Sequence, residues 1–255
     1  MRLVDTHCHL NDVKAFPDPA EAVAEAREAG VDRLIVVAVD NDWSRLALEL
    51  SEQFEEVYAV VGWHPSHSAD FKPEDISTIR EMALHPKCVA IGEVGLDFYW
   101  DHATRDQQEF CLNLHLDLAE ELAKPLVFHC RDAYPDLLAL LEERRPLTKM
   151  LFHCFSGTEE EADRAIALDC WLGVDGPLTY PKNEATRTLF SRLPKDKILI
   201  ETDAPWMAPV PYRGKRNRPA WVVHVNTALA GCWGMTPAES AAITTANAEA
   251  FFGLL

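Results

Sequence analysis

The stretch LIVVA at residues 34–38 is an unbroken run of apolar residues. Such a run, without alternation of apolar and polar positions, is typical of a parallel strand that is covered on both faces. Seven further short runs are rich in strand-forming residues, and helical patterns lie between them. We therefore predict strands at residues 2–6, 33–38, 58–62, 89–92, 126–128, 150–152, 171–174 and 198–201. This alternation predicts an α/β fold, a (β/α)8 TIM barrel formed by residues 1–255 as a single domain, with an open doubly wound sheet as the alternative.

Helix-capping patterns support the helices between these strands. Asp18 precedes Pro19, which is the order of an N-cap followed by a first-turn proline. The capping-box pattern, Thr followed three residues later by Gln or Glu, occurs at residues 104–107, 158–161 and 236–239. Each pattern predicts the start of an amphipathic helix.

Acidic residues outnumber basic residues by 41 to 24, which gives a formal net charge of −17. A charge of this sign repels polyanions at long range and argues against a broad electrostatic nucleic-acid binder. It does not argue against a nuclease that meets phosphate through metal ions and a local basic patch.

Seven cysteines occur without any CxxC pair, and no signal peptide precedes the first predicted strand. We therefore expect reduced thiols and a cytoplasmic protein. No apolar run approaches the roughly 18 residues that span a bilayer, so we expect no membrane association. Nothing in the sequence points to an obligate protein partner.

Two histidines, His7 and His9, follow the first predicted strand. Residues two apart in an extended chain point in the same direction, so both imidazoles can reach one ion while Cys8 points elsewhere. Taken alone, the pair is equally well explained as two histidines in a turn.

Side chains that could bind a metal also follow four other predicted strands. They are Glu93, His129, His153 and Asp203, after the fourth, fifth, sixth and eighth strands. Each is costly to place beside an apolar strand unless it is paired or ligated. Because the C-terminal strand ends of a barrel form one rim, where active sites are found, these positions predict a single metal site.

The predicted set holds four imidazoles and two carboxylates, which is enough for two divalent cations if one carboxylate, here Glu93, bridges them. Nitrogen and oxygen ligands suit Mg, Mn or Zn, and also Fe or Ni, and the sequence does not choose among them. Cys8, Cys130 and Cys154 each follow a candidate ligand. Strand alternation turns them away from it, so we expect packing roles for them.

The motifs of the chain resemble those of the TatD-related deoxyribonucleases. The matching motifs are HCHL (7–10), GWHP (62–65), GEVGLD (92–97), HCR (129–131), HCFSG (153–157), ETDAP (201–205) and RGK (213–215), with Thr245, Asn247 and the segment 251–253 near the end. The resemblance spans nearly the whole chain. It implies a TIM barrel of the metallo-dependent hydrolase type and metal-dependent hydrolysis of phosphodiesters, often as a 3′→5′ exonuclease on DNA.

The same resemblance implies ligands for two divalent metal cations. These are His7, His9, Glu93, His129, His153 and Asp203. It also implies that His64 faces the substrate phosphate. Two positions depart from the family pattern: Asn11 stands where an acidic residue is usual, and Arg218 replaces the acid of an Asn-Glu-Pro motif. The departure at Asn11 affects the residues expected to support the ligands of one metal. The departure at Arg218 adds a positive charge and so affects the expected substrate preference.

The implied enzyme is a deoxyribonuclease that uses a metal-activated water, with Asp203 and Glu93 as its catalytic carboxylates. Asp203 would orient the water or accept its proton. Arg131 and the basic cluster at residues 213–218, which begins with Arg213, would bind substrate phosphate. Plain alternatives are a salt bridge for Arg131 and a solvated charge run for the cluster, which lies in a predicted irregular loop at residues 208–219.

Two rival functions remain open from the residues. A binuclear amidohydrolase or lactonase acting on a small molecule would use the same kind of site, although many such enzymes bridge their metals with a modified lysine on the fourth strand, where this chain has Glu93. A non-catalytic barrel scaffold would be expected to have lost one or more ligands, whereas this chain retains the complete set.

Overall fold

The computed structural model of the protein describes residues 1–254. Its strands are β1 (Leu3–Cys8), β2 (Val31–Val37), β3 (Val57–Val61), β4 (Cys88–Asp97), β5 (Leu126–Arg131), β6 (Met150–Phe152), β7 (Trp171–Val174) and β8 (Ile198–Ile200). Its α-helices are α1 (Pro19–Glu28), α2 (Asn41–Gln53), α3 (Asp75–Ala83), α4 (Arg105–Leu122), α5 (Tyr134–Arg144), α6 (Glu159–Ala167), α7 (Glu184–Arg192), α8 (Val222–Trp233) and α9 (Pro237–Phe252). The sheet order runs from β1 to β8, which confirms the predicted (β/α)8 TIM-barrel class.

All eight predicted strands are present, but three strands that carry candidate ligands end later than predicted. Strand β1 continues to Cys8, β4 to Asp97 and β5 to Arg131. His7, Glu93 and His129 therefore lie within strands rather than after them. The capping predictions hold: Thr104, Thr158 and Thr236 each form a complete capping box. None of the helices in residues 1–254 combines the length and the apolar composition that crossing a membrane requires.

The chain divides into two compact units. The first comprises residues 1–36 and 172–254, and it contains parallel pairs between β1 and β2 and between β7 and β8. Hydrogen bonds from His9 N to the Ala204 carbonyl (2.7 Å) and from Asp203 N to the His7 carbonyl (2.9 Å) join the end of β1 to the segment after β8. These bonds place the HxH motif beside Asp203.

Two residues near the end of the chain that match the family pattern, Thr245 and Asn247, have a structural role in the first unit. Asn247 Nδ2 donates to the carbonyl of Ile198 at 2.8 Å, at the start of β8. Thr245 Oγ1 donates to the carbonyl of Arg2 at 2.9 Å, just before β1. Helix α9 therefore holds the N-terminal ends of the two strands whose other ends carry candidate ligands.

The second unit comprises residues 37–171, and its strands β3, β4, β5 and β6 pair in parallel in that order. Strands β4 and β5 approach closely at Gly95, whose φ is +143°. A Cβ there would lie 1.9 Å from the carbonyl oxygen of His129, so no residue other than glycine fits without displacing β5. The second glycine of the GEVGLD motif thus sets the position of His129 relative to Glu93.

Candidate metal centre

Three candidate ligands of the first unit lie together, and we call His7, His9 and Asp203 the Asp203 set. The Nε2 atoms of His7 and His9 are 3.2 Å apart, which confirms that the two imidazoles of the HxH motif point in one direction. Asp203 Oδ1 lies 3.4 Å from His9 Nε2 and 3.9 Å from His7 Nε2. Cys8 turns away as predicted, with its Sγ 3.6 Å from the carbonyl oxygen of Ile35.

The backbone at Asp203 takes a left-handed conformation, with φ of +53°, which non-glycine residues rarely adopt. Buried neighbours stabilise it. Asp5 accepts hydrogen bonds from Thr202 N at 2.9 Å and from Thr202 Oγ1 at 2.6 Å. On the other side, Asn217 Nδ2 donates to the Thr202 carbonyl at 2.7 Å. Burial raises the pKa of Asp5 well above its usual range, and the bonds from Thr202 oppose that rise.

The second unit holds another group, and we call His64, Glu93, His129 and His153 the Glu93 set. Its centre is Glu93 Oε1, which lies 2.7 Å from His153 Nε2, 2.9 Å from His129 Nδ1 and 3.6 Å from His64 Nε2. Only 3% of the Glu93 side chain is exposed. Three imidazole nitrogens thus lie within 3.6 Å of one buried carboxylate oxygen.

A second carboxylate, Asp97, orients His129. Asp97 Oδ2 lies 2.9 Å from His129 Nε2, so the ring bonds Asp97 through one nitrogen and faces Glu93 through the other. Burial lowers the pKa of His129, but its hydrogen bonds with Asp97 and Glu93 outweigh burial and raise it overall. A histidine that donates one ring N–H to a carboxylate and directs the other nitrogen inward is the usual arrangement of a metal ligand.

His64 is held differently. Its Nδ1 accepts a hydrogen bond from the backbone N–H of Ser66 at 3.1 Å. The proton of a neutral imidazole must then lie on Nε2, the nitrogen that faces Glu93. Burial is the largest cause that lowers the pKa of His64 well below its usual value, followed by the positive charge of His129. His64 therefore presents an N–H donor rather than a lone pair.

The donor sets fit divalent cations. Two imidazole nitrogens held 2.0–2.1 Å from one tetrahedral ion would lie about 3.4 Å apart. The separations here are 3.2 Å for His7 and His9, and 3.4 Å for His129 Nδ1 and His153 Nε2. In the second unit, Glu93 Oε1 lies 2.9 Å from His129 Nδ1 and 2.7 Å from His153 Nε2, which adds a carboxylate donor to this pair. The nitrogen and oxygen donors, without cysteine in any such cluster of residues 1–254, match the predicted ligand types.

The arginines that were predicted to bind phosphate, or to lie near it, already contact other side chains of the protein. Arg131 makes no salt bridge within residues 1–254, and its guanidinium instead stacks on the ring of Tyr99, 3.6 Å from the centroid. Arg213 is exposed and stacks on Tyr180 at 4.4 Å. Arg218, the departure from the family motif, forms an ion pair with Glu25. Its guanidinium therefore already has an acidic partner within the first unit.

Sequence reasoning missed two carboxylates of the candidate site. Asp5 and Asp97 are each buried, and each supports a neighbouring candidate ligand. Asp97 ends the GEVGLD motif and Asp5 lies in the first predicted strand, but neither of them was assigned a role from the sequence. Their signal was a buried acid in a strand of apolar residues, a position that is costly without a partner.

Comparisons with known proteins show which family the chain belongs to. The model of the family described as TatD related DNase matches residues 4–253. A relative from Bacillus subtilis (strain 168), named uncharacterized metal-dependent hydrolase YabD, is 38% identical over 98% of each chain. The 3'-5' ssDNA/RNA exonuclease TatD of Erwinia tasmaniensis is 32% identical, over 99% of this chain and 100% of that protein.

A solved structure shows the same similarity. YJJV, a TatD homolog from Escherichia coli K12, matches with a TM-score of 0.94 at 30% identity, covering 100% of this chain and 99% of that one. Family match, sequence identity and fold extend over essentially the whole chain. The chain therefore belongs to the TatD-related DNase family and is a metal-dependent hydrolase of that type.

Proposed function

We propose that the chain hydrolyses phosphodiester bonds in nucleic acid, as a 3′→5′ exonuclease on single strands. The observation that carries this proposal is the convergence of three imidazoles on the buried oxygen of Glu93. Family membership adds to it, because relatives such as the Erwinia protein are named 3'-5' ssDNA/RNA exonuclease. The amidohydrolase or lactonase alternative has less support, since the matching family is described as a DNase family.

We assign two divalent cations, Mg, Mn or Zn, to the candidate ligands. The proposed ligands are His7, His9, Glu93, His129, His153 and Asp203. Glu93 is the proposed bridge, because its oxygen already approaches several imidazoles at once. When bound, the cations would lower the pKa of water toward about 7 and offset negative charge on the phosphate.

The remaining chemistry falls to side chains of this chain. Asp203 Oδ1 would accept the proton of the attacking water, because Asp203 is the more exposed of the two proposed catalytic carboxylates, with 14% of its side chain accessible against 3% for Glu93. His64 Nε2–H would donate a hydrogen bond to a non-bridging phosphate oxygen. Arg131 and Arg213 would add positive charge near the substrate, on a protein whose net charge is −17.

We also propose that the chain acts as one domain in the cytoplasm. No disulfide joins its seven cysteines, all of which lie in the described part of the chain. Cysteines without disulfide bonds suit a reducing compartment.

The test is a hydrolysis assay with oligonucleotides labelled at the 5′ or the 3′ end. Single-stranded DNA, single-stranded RNA and duplex DNA are each incubated with enzyme and Mg²⁺, Mn²⁺ or Zn²⁺, with EDTA as the metal-free control. Asp203→Asn, purified identically, controls for contaminating nucleases. We expect metal-dependent removal of nucleotides from the 3′ end. Equal products from the variant, or turnover confined to an amide or lactone panel, would refute the proposal.

A further inference from the structure

An exposed aromatic pair follows strand β4 in the second unit. Tyr99 is 53% exposed and Trp100 is 47% exposed, although burial of such large rings is strongly favourable. The two rings meet edge to face, with centroids 4.8 Å apart. Aromatic side chains this exposed on a loop beside a candidate active site suggest a ligand that covers them.

The loop that carries the pair is held in place. Asp97 Oδ1 accepts hydrogen bonds from Tyr99 N at 2.9 Å and from Trp100 N at 3.1 Å. Gln108 fixes the backbone of Asp97, donating to its carbonyl at 2.9 Å and accepting from its N–H at 2.8 Å. The rings are therefore presented by an ordered turn, which lowers the entropic cost of binding a ligand against them.

Neighbouring side chains cover part of each ring. The Arg131 guanidinium lies 3.6 Å from the centroid of Tyr99. The ring of His102 stacks on Trp100, with an interplanar angle of 10° and centroids 5.6 Å apart. The result is an aromatic platform with a cation on it, formed by Tyr99, Trp100, His102 and Arg131.

The same carboxylate links this aromatic platform to the Glu93 set. While Oδ1 of Asp97 holds the turn, its Oδ2 lies 2.9 Å from His129 Nε2. One buried residue thus fixes both a candidate metal ligand and the rings. A phosphate bound beside His129 would have its neighbouring nucleotide within reach of the aromatic platform.

We propose that Trp100 stacks on an unpaired nucleobase next to the scissile phosphate, with Arg131 facing the adjoining backbone phosphate. The inference deepens the proposed nuclease function and rests on it. Every base has an aromatic face, so such stacking is tolerant of sequence, but it requires a base that is free of its duplex neighbours. The aromatic platform therefore selects single-stranded substrate.

The test compares wild type with Trp100→Ala, Trp100→Phe and Phe110→Ala. Phe110 is a matched control because it is an aromatic of the same unit with similar exposure, 48%, and lies on α4 outside the aromatic platform. Each protein is assayed on a single-stranded oligonucleotide and on the same oligonucleotide with abasic residues at its three 3′ positions. Anisotropy with a labelled phosphorothioate oligonucleotide measures binding without requiring turnover.

We expect Trp100→Ala to raise KM and Kd for the normal oligonucleotide by about 5- to 150-fold, the range for loss of one stacked base, with kcat within about twofold of wild type. Trp100→Phe should recover most of the loss, and Phe110→Ala should behave as wild type. On the abasic substrate, wild type and Trp100→Ala should have equal KM.

Two results would overturn the inference. One is unchanged KM and Kd in Trp100→Ala, and the other is the same loss on normal and abasic substrates, which indicates a structural role. Failure of the proposed nuclease function is distinguishable, since wild type would then hydrolyse neither oligonucleotide. In that event a Trp100-dependent difference in anisotropy between the normal and abasic oligonucleotides would still support base stacking, and its absence would refute it.

Discussion

The Asp203 set and the Glu93 set differ in the surroundings of their carboxylates. Asp203 is 14% exposed, and its nearer carboxylate oxygen lies 3.4 Å or more from the imidazoles of His7 and His9. Glu93 is 3% exposed, and one of its oxygens lies within 3.0 Å of both His129 and His153. One carboxylate is partly accessible to solvent, and the other is almost completely buried against imidazoles.

This difference separates two tasks that a carboxylate performs in a metal-dependent hydrolase. An enclosed anion among imidazoles favours retention of cations, because little water screens its charge. An accessible one can meet the attacking water and move its proton. We therefore expect substitutions at the two positions to separate metal retention from turnover.

The largest effect is expected for Glu93→Gln, which removes the charge at the centre of its set while keeping its shape. We expect loss of bound metal and at least a 10³-fold fall in kcat/KM, because the cations supply several kcal/mol of charge stabilisation. Metal content by mass spectrometry and the oligonucleotide assay measure the two effects. Glu74→Gln, an exposed acid of the same unit, is the control. Full metal content in Glu93→Gln would contradict the bridging role.

Asp203→Asn should affect turnover more than metal content. We expect kcat to fall by about 10²- to 10⁴-fold, the usual contribution of a positioned general base, with most of the metal retained. Steady-state kinetics at saturating metal isolate the chemical step from metal loss. Undiminished activity would refute the catalytic assignment, and loss of metal equal to that of Glu93→Gln would remove the distinction between the two sets.

Asp97→Asn should have a smaller effect, because Asp97 acts through His129. The amide keeps the size of the side chain, but it no longer offers His129 Nε2 a charged acceptor. We expect metal affinity to fall by 10- to 100-fold, as is typical when such a partner is removed. Competition with a chelator measures the affinity, and activity should recover at high metal concentration. Activity that stays low at every metal concentration would indicate damage to the Tyr99–Trp100 turn instead.

How far the site could be predicted depended on the kind of signal. The HxH spacing and the acid or histidine in each motif identified the proposed ligands, because strand periodicity determines which side chains share a face. The roles of Asp5 and Asp97 depend on partners distant in sequence, Thr202 and His129, and no local pattern specifies those contacts. The close approach of β5 to Gly95 is likewise a property of strand packing.

The contacts of the basic side chains were harder to predict than the identity of the candidate ligands. A run of basic residues at 213–218 indicates local charge, but not which charges are already paired. Arg218 reaches back to Glu25 on α1, a contact between residues 193 positions apart. Arg131 was assigned either phosphate or a salt bridge, and its observed stacking on Tyr99 was not among those alternatives.

The smallest effect on catalysis is expected for substitution of His115. This histidine belongs to the second unit but lies outside the Glu93 set, so it shows how a buried imidazole behaves without a carboxylate beside it. His115 lies fully buried on α4, where its Nδ1 is 2.8 Å from the carbonyl oxygen of Cys111 and its ring packs against Phe71. Burial lowers the pKa of His115 to about 4, from an ordinary value near 6.5. Unlike His129, it has no carboxylate hydrogen bond that raises its pKa.

The unfolded chain therefore binds a proton at His115 below about pH 6.5, whereas the folded chain does so only near pH 4, and stability falls as the pH is lowered through that window. In His115→Leu this loss is absent, so the stability of wild type relative to the variant should fall by about 2 to 3 kcal/mol between pH 7 and pH 4.5. Urea unfolding with EDTA at both pH values measures it, and activity at pH 7 should be unchanged. A stability difference that is the same at both pH values would mean that His115 is protonated in the folded protein, and that burial without a carboxylate does not set its charge.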